Sequence, residues 1–323
     1  MNSSLSRLAR MGLLVSLLVC GLCDAMQRVR VGAYINDIQN LDLSSHSYSV
    51  DLYVWFRWRE KDSNPPASVE FNNPYELWGH VLSAEYETPF LLPNGDYYQV
   101  IRNQGRFSKK LILDNYPFDK QILEVAFEDS ELGADERVFV ADENPITINP
   151  ELKLPGFEIG KPRMTFPERA YPTGFGFGKN PLQSHYSRVL IEIPIKRPIV
   201  TYAVKLMLPV LCVIFCASLM FLFNPTYVDS RVGIGITALL TIVALQITLN
   251  EDLPEIDYLV LIDKVYLLAY LFVIAGLGVV VKTTWMLEKG SIDAAIRFDR
   301  IALIGLASLF AFAIALTLFL SKL

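Results

Sequence analysis

Four long apolar stretches in the second half of the chain constrain its fold more than any other feature of the sequence. They cover about residues 199–223, 231–249, 258–281 and 300–320, with short polar connections between them. Each is close to the ~20 residues that an α-helix needs to cross the ~30 Å hydrocarbon core of a bilayer. Hydrophobic residues make up 52% of the chain, and their excess lies in this half. The sequence therefore predicts a membrane protein with four spanning helices behind a more polar front half.

The first 25 residues have the pattern of a removable secretory signal. Arg7 and Arg10 precede an apolar run, and Ala25 ends a small-residue cleavage site. We therefore expect residues 1–25 to be a signal peptide, residues 26–197 an exported domain and residues 198–323 a transmembrane domain. Four crossings from an exported N-terminus place both termini on the periplasmic or extracellular side. Basic residues at the predicted inner helix ends agree with this orientation.

The front half has the pattern of a β-sheet domain. From Val50 to Trp58, apolar side chains alternate with more polar ones, as in a strand with one buried face. Other short β-rich runs cover residues 97–102, 107–113, 122–127, 137–141 and 189–195, and turn-forming clusters separate them. About 170 residues of this kind are typical of a β-sandwich. Residues 26–197 contain no cysteine, so no disulfide bond can stabilise the exported domain.

Charge and residue counts exclude several classes of function. The net charge is −5 without a Lys/Arg cluster, which argues against nucleic acid as a partner. Three histidines, and no cysteine in the exported half, make a metal site or a metal cofactor improbable. An enzyme would need a nucleophile–base pair, and a secondary transporter would need repeated or broken helices; neither pattern occurs. A membrane-anchored binding protein, whose helices only anchor and dimerise it, remains an alternative.

The second apolar stretch carries small, polar and acidic residues on a single helical stripe. Its members are spaced by 4, 4, 3, 4, 3 and 4 residues and are Asp229, Gly233, Thr237, Leu240, Ala244, Ile247 and Glu251. The stripe is ~33 Å long at ~1.5 Å per residue, so a carboxylate lies at each membrane boundary. Several copies around an axis would form a water-filled pore with acidic mouths and a hydrophobic constriction. The alternative is that Asp229 caps the helix, Glu251 lies among headgroups and the rest pack.

Two motifs resemble those of a known receptor family. The segment 109–123, with Tyr116-Pro117-Phe118-Asp119 at its centre, resembles the signature loop of the Cys-loop receptors. Lys109 and Leu123 replace the bracketing cysteines, as in bacterial members of the pentameric ligand-gated ion channel family. The segment from Arg231 to Leu240 resembles the family's pore helix. Leu253-Pro254 is similar to its next loop, and Lys196-Arg197-Pro198 to its junction with the first helix.

The resemblance implies an architecture and a function that composition alone does not give. It implies a homopentamer, in which each chain assembles with four identical subunits around a central pore. The homopentamer would lie in the inner membrane of a cell. Each subunit would have a ten-stranded immunoglobulin-like sandwich and a four-helix transmembrane bundle whose second helix lines the pore. A small-molecule agonist or protons would open it, and Asp229 stands where cation-selective relatives have a carboxylate. Permeant monovalent cations and membrane lipid are the other expected partners.

The resemblance also implies a charge cluster that couples the two domains. Asp51, Asp119 and Arg197 match its three places, and Phe118 lies in the signature loop beside it. Pro254 lies in the loop on which the cluster would act. We therefore expect the three charges to meet at the membrane junction. The alternative is an ordinary surface ion pair, worth ~0–1 kcal/mol.

The agonist site implied by the resemblance is an aromatic box between neighbouring ectodomains. The candidates lie on the second strand, after the signature loop and in a hairpin over 166–186, and they are Tyr53, Trp55, Ser130, Glu131, Tyr171, Phe175, Phe177 and Tyr186. Ser130 stands near the place of a family tryptophan, so the ligand class stays open. The alternative is that these aromatic residues only pack. Six carboxylates between Glu124 and Glu136 are either a solvated strand edge and loop, or an acidic vestibule or divalent-cation site that concentrates cations above the pore.

Overall fold

The computed structural model describes residues 26–175, 184–251 and 253–321. The predicted signal peptide, residues 1–25, lies outside the described residues. Within them the chain forms a β domain that ends at Lys196 and a helical domain that begins at Ile199. This is the predicted order of a β-sandwich followed by a helical bundle.

Twelve strands are described in the β domain. They are β1 (Gln27–Asp42), β2 (Ser47–Trp58), β3 (Val69–Phe71), β4 (Val81–Ala84), β5 (Phe90–Leu91), β6 (Tyr97–Ser108), β7 (Lys120–Asp129), β8 (Arg137–Ile148), β9 (Glu158–Ile159), β10 (Arg163–Thr165), β11 (Glu168–Tyr171) and β12 (Ser184–Lys196). The resemblance implied ten. The number is larger because strands of two to four residues, β3 to β5 and β9 to β11, form parts of the sheets.

The strands form two sheets that pack face to face. The first has the order β4-β6-β2-β1-β8, with β5 also on β6, and only its β1–β8 pair is parallel among the described pairs. The second has the order β10-β12-β7-β3, with β9 and β11 also on β12. The alternation in β2 is observed, since Val50, Leu52, Val54, Phe56 and Trp58 are all buried. The Phe56 ring lies 6.2 Å from that of Phe127 on the other sheet, in the core between the two layers.

The predicted strand over residues 107–113 is wrong beyond Ser108, where β6 ends. The next residues form a loop, and its apolar side chains, Leu111, Leu113 and Tyr116, pack into the hydrophobic core of the helical domain. The apolar alternation that resembled a strand therefore serves to dock one domain on the other.

Four helices follow among the described residues, and each is long and apolar enough to cross a membrane. They are α1 (Ile199–Phe221), α2 (Val228–Asn250), α3 (Leu261–Glu288) and α4 (Ile292–Leu320). The last one begins eight residues before its predicted start because a polar first turn precedes its apolar run. α1 contains a π-helical segment, Ala203–Met207, just before Pro209. Proline has no N–H to bond the carbonyl one turn earlier, which explains the local irregularity.

The helices differ in how much of their surface is covered within the subunit. α3 is central and buries ten residues among those described. α4 is exposed over most of its length, and its two buried described residues are Ala295 and Asp299. A helix that is apolar all round and uncovered by protein is suited to a lipid environment.

Candidate functional site

The predicted stripe on α2 is the helix face that the rest of the subunit leaves uncovered. All seven of its residues, from Asp229 to Glu251, are exposed. The buried residues of the helix are Arg231, Gly235, Ala238, Ile242 and Leu249. At about 100° per residue, the centres of these two faces lie roughly 170° apart. One face of α2 thus packs on its neighbours, and the stripe faces away from them.

Contacts on the covered face fix the rotation of α2. A Cβ on Gly235 would lie 2.5 Å from Cδ2 of Leu277, so glycine permits the close approach of α2 and α3. Nearer the Glu251 end, the Tyr270 hydroxyl donates a hydrogen bond of 2.7 Å to Oε1 of Gln246. A Cβ on Gly233, in the stripe, would meet nothing within 4 Å. These contacts hold the carboxylates of the stripe away from the protein core.

Arg231 lies near the start of α2 and is fully buried. Its Nε donates to the Met220 carbonyl at 2.7 Å, its Nη1 to Oγ1 of Thr283 at 3.1 Å and its Nη2 to Oδ1 of Asp299 at 2.5 Å. The Asp299 side chain retains 2% of its accessible surface. The ion pair therefore joins the pore-helix candidate to α4, the most exposed helix. Sequence analysis missed Asp299, because it lies one residue before the predicted fourth apolar stretch, in the polar start of α4.

Two of the three predicted coupling charges meet at the junction of the domains. Nε of Arg197 lies 2.8 Å from Oδ1 of Asp119, and both side chains are at least nine-tenths buried. Gln121 donates a second hydrogen bond to Asp119 at 2.8 Å. The Arg197 guanidinium also lies over three aromatic rings, at 4.4 Å from Phe157, 4.9 Å from Tyr202 and 5.0 Å from Tyr116. The pair is therefore enclosed, unlike an exposed surface ion pair.

The third predicted member of the cluster, Asp51, is not there. Both of its oxygens accept hydrogen bonds from Arg102, at 2.9 and 2.8 Å, and Oδ2 also accepts one from Asn36 at 2.7 Å. Asp51 lies opposite Gln104 in the β2–β6 register, which makes Arg102 its diagonal neighbour. The prediction for Asp51 is wrong because a cross-strand arginine already neutralises it within the first sheet.

The signature loop is attached to the start of α3, a contact that sequence analysis missed. The Leu261 N–H donates to the Asp114 carbonyl at 3.0 Å, and the Ile262 N–H donates to the Tyr116 carbonyl at 3.3 Å. The Leu113 N–H donates to the Tyr258 hydroxyl at 3.1 Å. The first N–H groups of a helix have no partner within it, so the loop carbonyls supply the missing acceptors. The loop is thereby held on α3.

The other two coupling candidates lie on either side of this attachment. Phe118 is buried within the signature loop, and its N–H donates to the Asn115 carbonyl at 2.7 Å. Pro254 is buried between α2 and α3. Its neighbours Leu253 and Ile256 pack against the helical core. A cavity of about 550 Å³ near this junction is lined by Arg197, Tyr202 and Glu251, among others.

The turn between β1 and β2 also contacts the signature loop. His46 accepts a hydrogen bond at Nδ1 from the Leu111 N–H at 3.1 Å. Burial, together with the nearby Lys110, lowers the pKa of His46, while Asp42 acts in the opposite direction. Hydrogen bonds from Ser45 and Ser44 lower the pKa of Asp42 to about 2. A protonated His46 cannot accept the Leu111 bond, so this contact requires the neutral imidazole.

The predicted agonist residues fall into two groups on opposite sheets. Tyr53 and Trp55 lie on β2 of the first sheet, where Tyr53 contacts the Arg102 guanidinium at 5.1 Å. Ser130 and Glu131 are exposed just after β7 of the second sheet. Within one subunit these residues do not form a single box. Phe177 lies outside the described residues.

The remaining agonist candidates form an aromatic cluster on the second sheet. The Tyr171 ring lies 5.5 Å from Phe175 and 5.9 Å from Tyr186. The Tyr171 hydroxyl donates to Glu128 at 3.0 Å and accepts from Nη2 of Arg188 at 3.0 Å. Burial is the main reason that the pKa of Tyr171 is raised. The aromatic cluster is therefore hydrogen-bonded, through Tyr171, to the ion pair of Glu128 and Arg188.

Three of the six carboxylates between Glu124 and Glu136 each pair with a different basic residue. Glu124 pairs with Lys109, Glu128 with Arg188 and Asp129 with Arg137. Glu128 and Asp129 are also buried, so this part of the run is not a solvated edge. Among residues 26–175, 184–251 and 253–321, no group of three or more His, Cys, Asp or Glu side chains is close enough to hold a metal ion.

Comparison with known proteins finds relatives of this chain. A gamma-aminobutyric acid receptor subunit beta-4 from Gallus gallus is 23% identical over 269 residues, which is 77% of this chain and 53% of that relative. An acetylcholine-gated chloride channel subunit acc-1 from Caenorhabditis elegans is 21% identical over 271 residues, 77% of this chain and 56% of that relative. The chain thus spans about half the length of the curated relatives it matches. No family model matches the chain.

Proposed function

Because this chain belongs to the Cys-loop receptor superfamily, we propose that it is the subunit of a homopentameric ligand-gated ion channel whose pore is lined by α2. It is a multi-pass membrane protein and not an enzyme. The exposed stripe from Asp229 to Glu251 is the observation that carries the proposal. A helix in a single subunit has no reason to leave two carboxylates, a glycine and a threonine on one uncovered face of the membrane domain. Five such faces around an axis would enclose water.

Cation selectivity is the finer part of the proposal, and it is argued from this chain's own residues. Asp229 and Glu251 are exposed at the two ends of the stripe, while Arg231 is buried against Asp299. Five copies of each carboxylate would form two acidic rings, which attract cations and repel anions. One relative is named a chloride channel, so selectivity needs a direct measurement.

The reversal potential in an asymmetric NaCl gradient tests this proposal. The purified protein in planar bilayers should give currents whose reversal potential follows Na⁺. Asp229→Asn should shift it toward the Cl⁻ value. Asp293→Asn, an exposed carboxylate at the start of α4 and off the stripe, is the matched control and should leave it unchanged. Reversal at the Cl⁻ potential in the unmodified protein would contradict the acidic rings, and absence of any current would contradict the channel.

Agonist binding would be completed by two neighbouring subunits. The Tyr53 and Trp55 face of one ectodomain and the aromatic cluster around Tyr171 of the next lie on opposite sheets, as residues on two sides of a shared interface must. The agonist would be a small molecule or protons. Movement at this interface would reach the pore through the Arg197–Asp119 pair and the signature loop, which is hydrogen-bonded to α3.

The orientation and location of the channel follow from the same proposal. The ectodomain and both termini would face the periplasm or the outside of the cell. The membrane would be the inner membrane of a bacterial cell. Cysteine accessibility on intact and permeabilised cells tests the orientation, because a cysteine introduced in the β domain should react with an impermeant thiol reagent without permeabilisation.

A further inference from the structure

Two free cysteines lie one helical turn apart on α1. Cys212 and Cys216 are spaced by four residues, within the regular α-helical part of α1 over Leu208–Ser218. Both are exposed within the subunit. The other two cysteines of the sequence, Cys20 and Cys23, lie in the predicted signal peptide. The function proposed above uses none of these thiols, so the pair on α1 needs an explanation of its own.

The helix directs both thiols to the uncovered side of α1. The buried residues in this part of the helix are Val210, Ile214 and Ala217. Cys212 comes two residues after Val210, and a separation of two residues is about 200° around a helix. Cys216 has the same relation to Ile214. The two cysteines differ from each other by only about 40° around the axis, so their sulfur atoms share one face.

The spacing of the two thiols suits a bridging atom and not a disulfide bond. Side chains at positions i and i+4 of a helix have Cβ atoms about 5–6 Å apart. A relaxed disulfide bond needs about 3.5–4.5 Å between the same two atoms. A further atom between the sulfur atoms lengthens the bridge and spans this distance without distorting the helix. The thiols of α1 are therefore free and are placed to bind one ligand together.

The surroundings of the thiols favour a ligand that forms an uncharged product. Cys216 and Cys212 come five and nine residues before the end of α1 at Phe221, or about 8 and 14 Å along the helix axis. Both thiols therefore lie in the apolar span, where a charged group is strongly disfavoured. Zinc would need two further ligands, and among the described residues no group of three or more His, Cys, Asp or Glu side chains could supply them.

The dithiol lies next to the contact that holds the start of α2. Met220 follows Cys216 by four residues, and its carbonyl accepts the 2.7 Å hydrogen bond from Nε of Arg231. Between them the α-helix changes to a 3-10 turn over Leu219–Phe221. A bridge between Cys212 and Cys216 would therefore fix the turn of α1 that directly precedes this connection.

We propose that Cys212 and Cys216 form a dithiol site for trivalent arsenic, supplied as arsenous acid. Arsenous acid is uncharged at neutral pH, so it can enter the apolar span, and its arsenic is a soft centre that prefers sulfur ligands. Two S–H and two As–O bonds break, two As–S bonds form, and the thiol protons leave with the hydroxyl groups as two water molecules. Arsenic stays trivalent and the product is neutral, so the reaction needs no oxidant or reductant.

Intact-protein mass spectrometry of the purified full-length chain with phenylarsine oxide tests this inference. This trivalent arsenical is held firmly by two thiols together and weakly by one. In the presence of millimolar glutathione, a monothiol competitor, we expect one phenylarsenic group per chain. Cys212→Ala should retain at least about tenfold less, because the second thiol of a pair acts at a high effective concentration. Equal retention by both chains, or none by the unmodified chain, would overturn the inference.

A matched variant separates the position of the thiols from their number. Cys216→Ser combined with Ser218→Cys keeps the composition, but it moves the second thiol to about 240° around the helix from Cys212. This variant should retain as little arsenical as Cys212→Ala, and retention equal to that of the unmodified chain would overturn the site.

Two further variants complete the test. Cys216→Ala gives the same result from the other thiol if Cys212→Ala does not assemble. Cys20→Ser with Cys23→Ser should leave retention unchanged, and its loss would place the reactive thiols in residues 1–25 and overturn the site on α1. The measurement does not depend on current, so failure of arsenical binding would leave the channel proposal intact, and absence of current would leave the binding result intact.

Discussion

Replacement of Asp119 by asparagine tests the ion pair between the two domains. Asp119 and Arg197 retain 2% and 5% of their side-chain surface, and the joined atoms are 2.8 Å apart. Asparagine keeps the shape of the side chain and an oxygen acceptor but removes its charge. Arg197 would then stay buried without a counter-ion, since Asp51 is held by Arg102 within the first sheet.

The size of the effect follows from the burial of the pair. Removal of one partner from a buried ion pair costs about 3–5 kcal/mol. Three aromatic rings lie within 5.0 Å of the Arg197 guanidinium. Each cation–π contact stabilises the buried guanidinium by about 0.5–1 kcal/mol, and the substitution of Asp119 leaves these contacts in place. We therefore expect a loss near the lower limit, about 3 kcal/mol. For a domain of this size that corresponds to a melting temperature lower by roughly 6–12 °C.

Thermal melts of the detergent-solubilised protein measure the loss, with Glu158→Gln as the matched control. Glu158 pairs with Lys196 next to the same junction at 2.9 Å, but more than half of each side chain is exposed. Its loss should cost about 0–1 kcal/mol. The double variant Asp119→Asn with Arg197→Gln should recover part of the stability, because it leaves no unpaired charge. Ligand-evoked current should be lost in Asp119→Asn.

Two results would refute this reasoning. A melting temperature for Asp119→Asn equal to that of Glu158→Gln would show that the buried pair contributes no more than the exposed one. Normal current from Asp119→Asn would remove the pair from the coupling mechanism, even if the variant were less stable.

Three further predictions concern the gate, the β1–β2 turn and the base of the pore helix. Leu240→Thr should raise ligand-independent flux in proteoliposomes by hydrating the apolar part of the stripe, whereas the off-stripe Leu239→Thr should not; equal flux from both contradicts the gate position. Because the pKa of His46 is lowered, the folded chain binds fewer protons than the unfolded one, so the free energy of unfolding should fall as pH drops below about 6.5. His46→Asn keeps a hydrogen-bond acceptor, and asparagine tolerates the positive φ of 53° at this position. The melting temperature of this variant should therefore change less between roughly pH 8 and pH 5 than that of the unmodified protein. An unchanged pH dependence would show that other groups cause it. Asp299→Asn should lower the yield of assembled protein on size-exclusion chromatography, because it leaves Arg231 buried without a counter-ion. The double variant with Arg231→Gln should restore part of that yield. An unchanged yield from Asp299→Asn alone would show that the pair is dispensable.

The sequence was most informative where structure depends on local periodicity. The spans follow from the length of apolar runs, and the buried face of β2 follows from a period of two. The seven residues of the α2 stripe share an exposed face because a spacing of three and four fixes their direction on any helix. No knowledge of the partner elements was needed for these features.

Tertiary partners could not be predicted in the same way. Asp51 was assigned to the junction from a two-residue match, but its partner depends on the register between β2 and β6. The three rings around Arg197 come from positions 116, 157 and 202, which no sequence spacing connects. The run after Ser108 had the alternation of a strand because docking on a helical core also needs apolar residues at intervals.

The buried pair of Arg231 and Asp299 has a consequence for how the chain is made. The arginine is synthesised 68 residues before the carboxylate that neutralises it. At about 5–20 residues per second, Arg231 of α2 must exist for roughly 3–14 s before its counter-ion is made. During that time Arg231 has to remain at the membrane surface, where water and headgroups solvate it, because an arginine deep in a bilayer is strongly disfavoured. Anchoring of α2 is therefore completed only by the last helix, and a ribosome that stalls before residue 299 leaves a membrane domain in which Arg231 of α2 has no counter-ion.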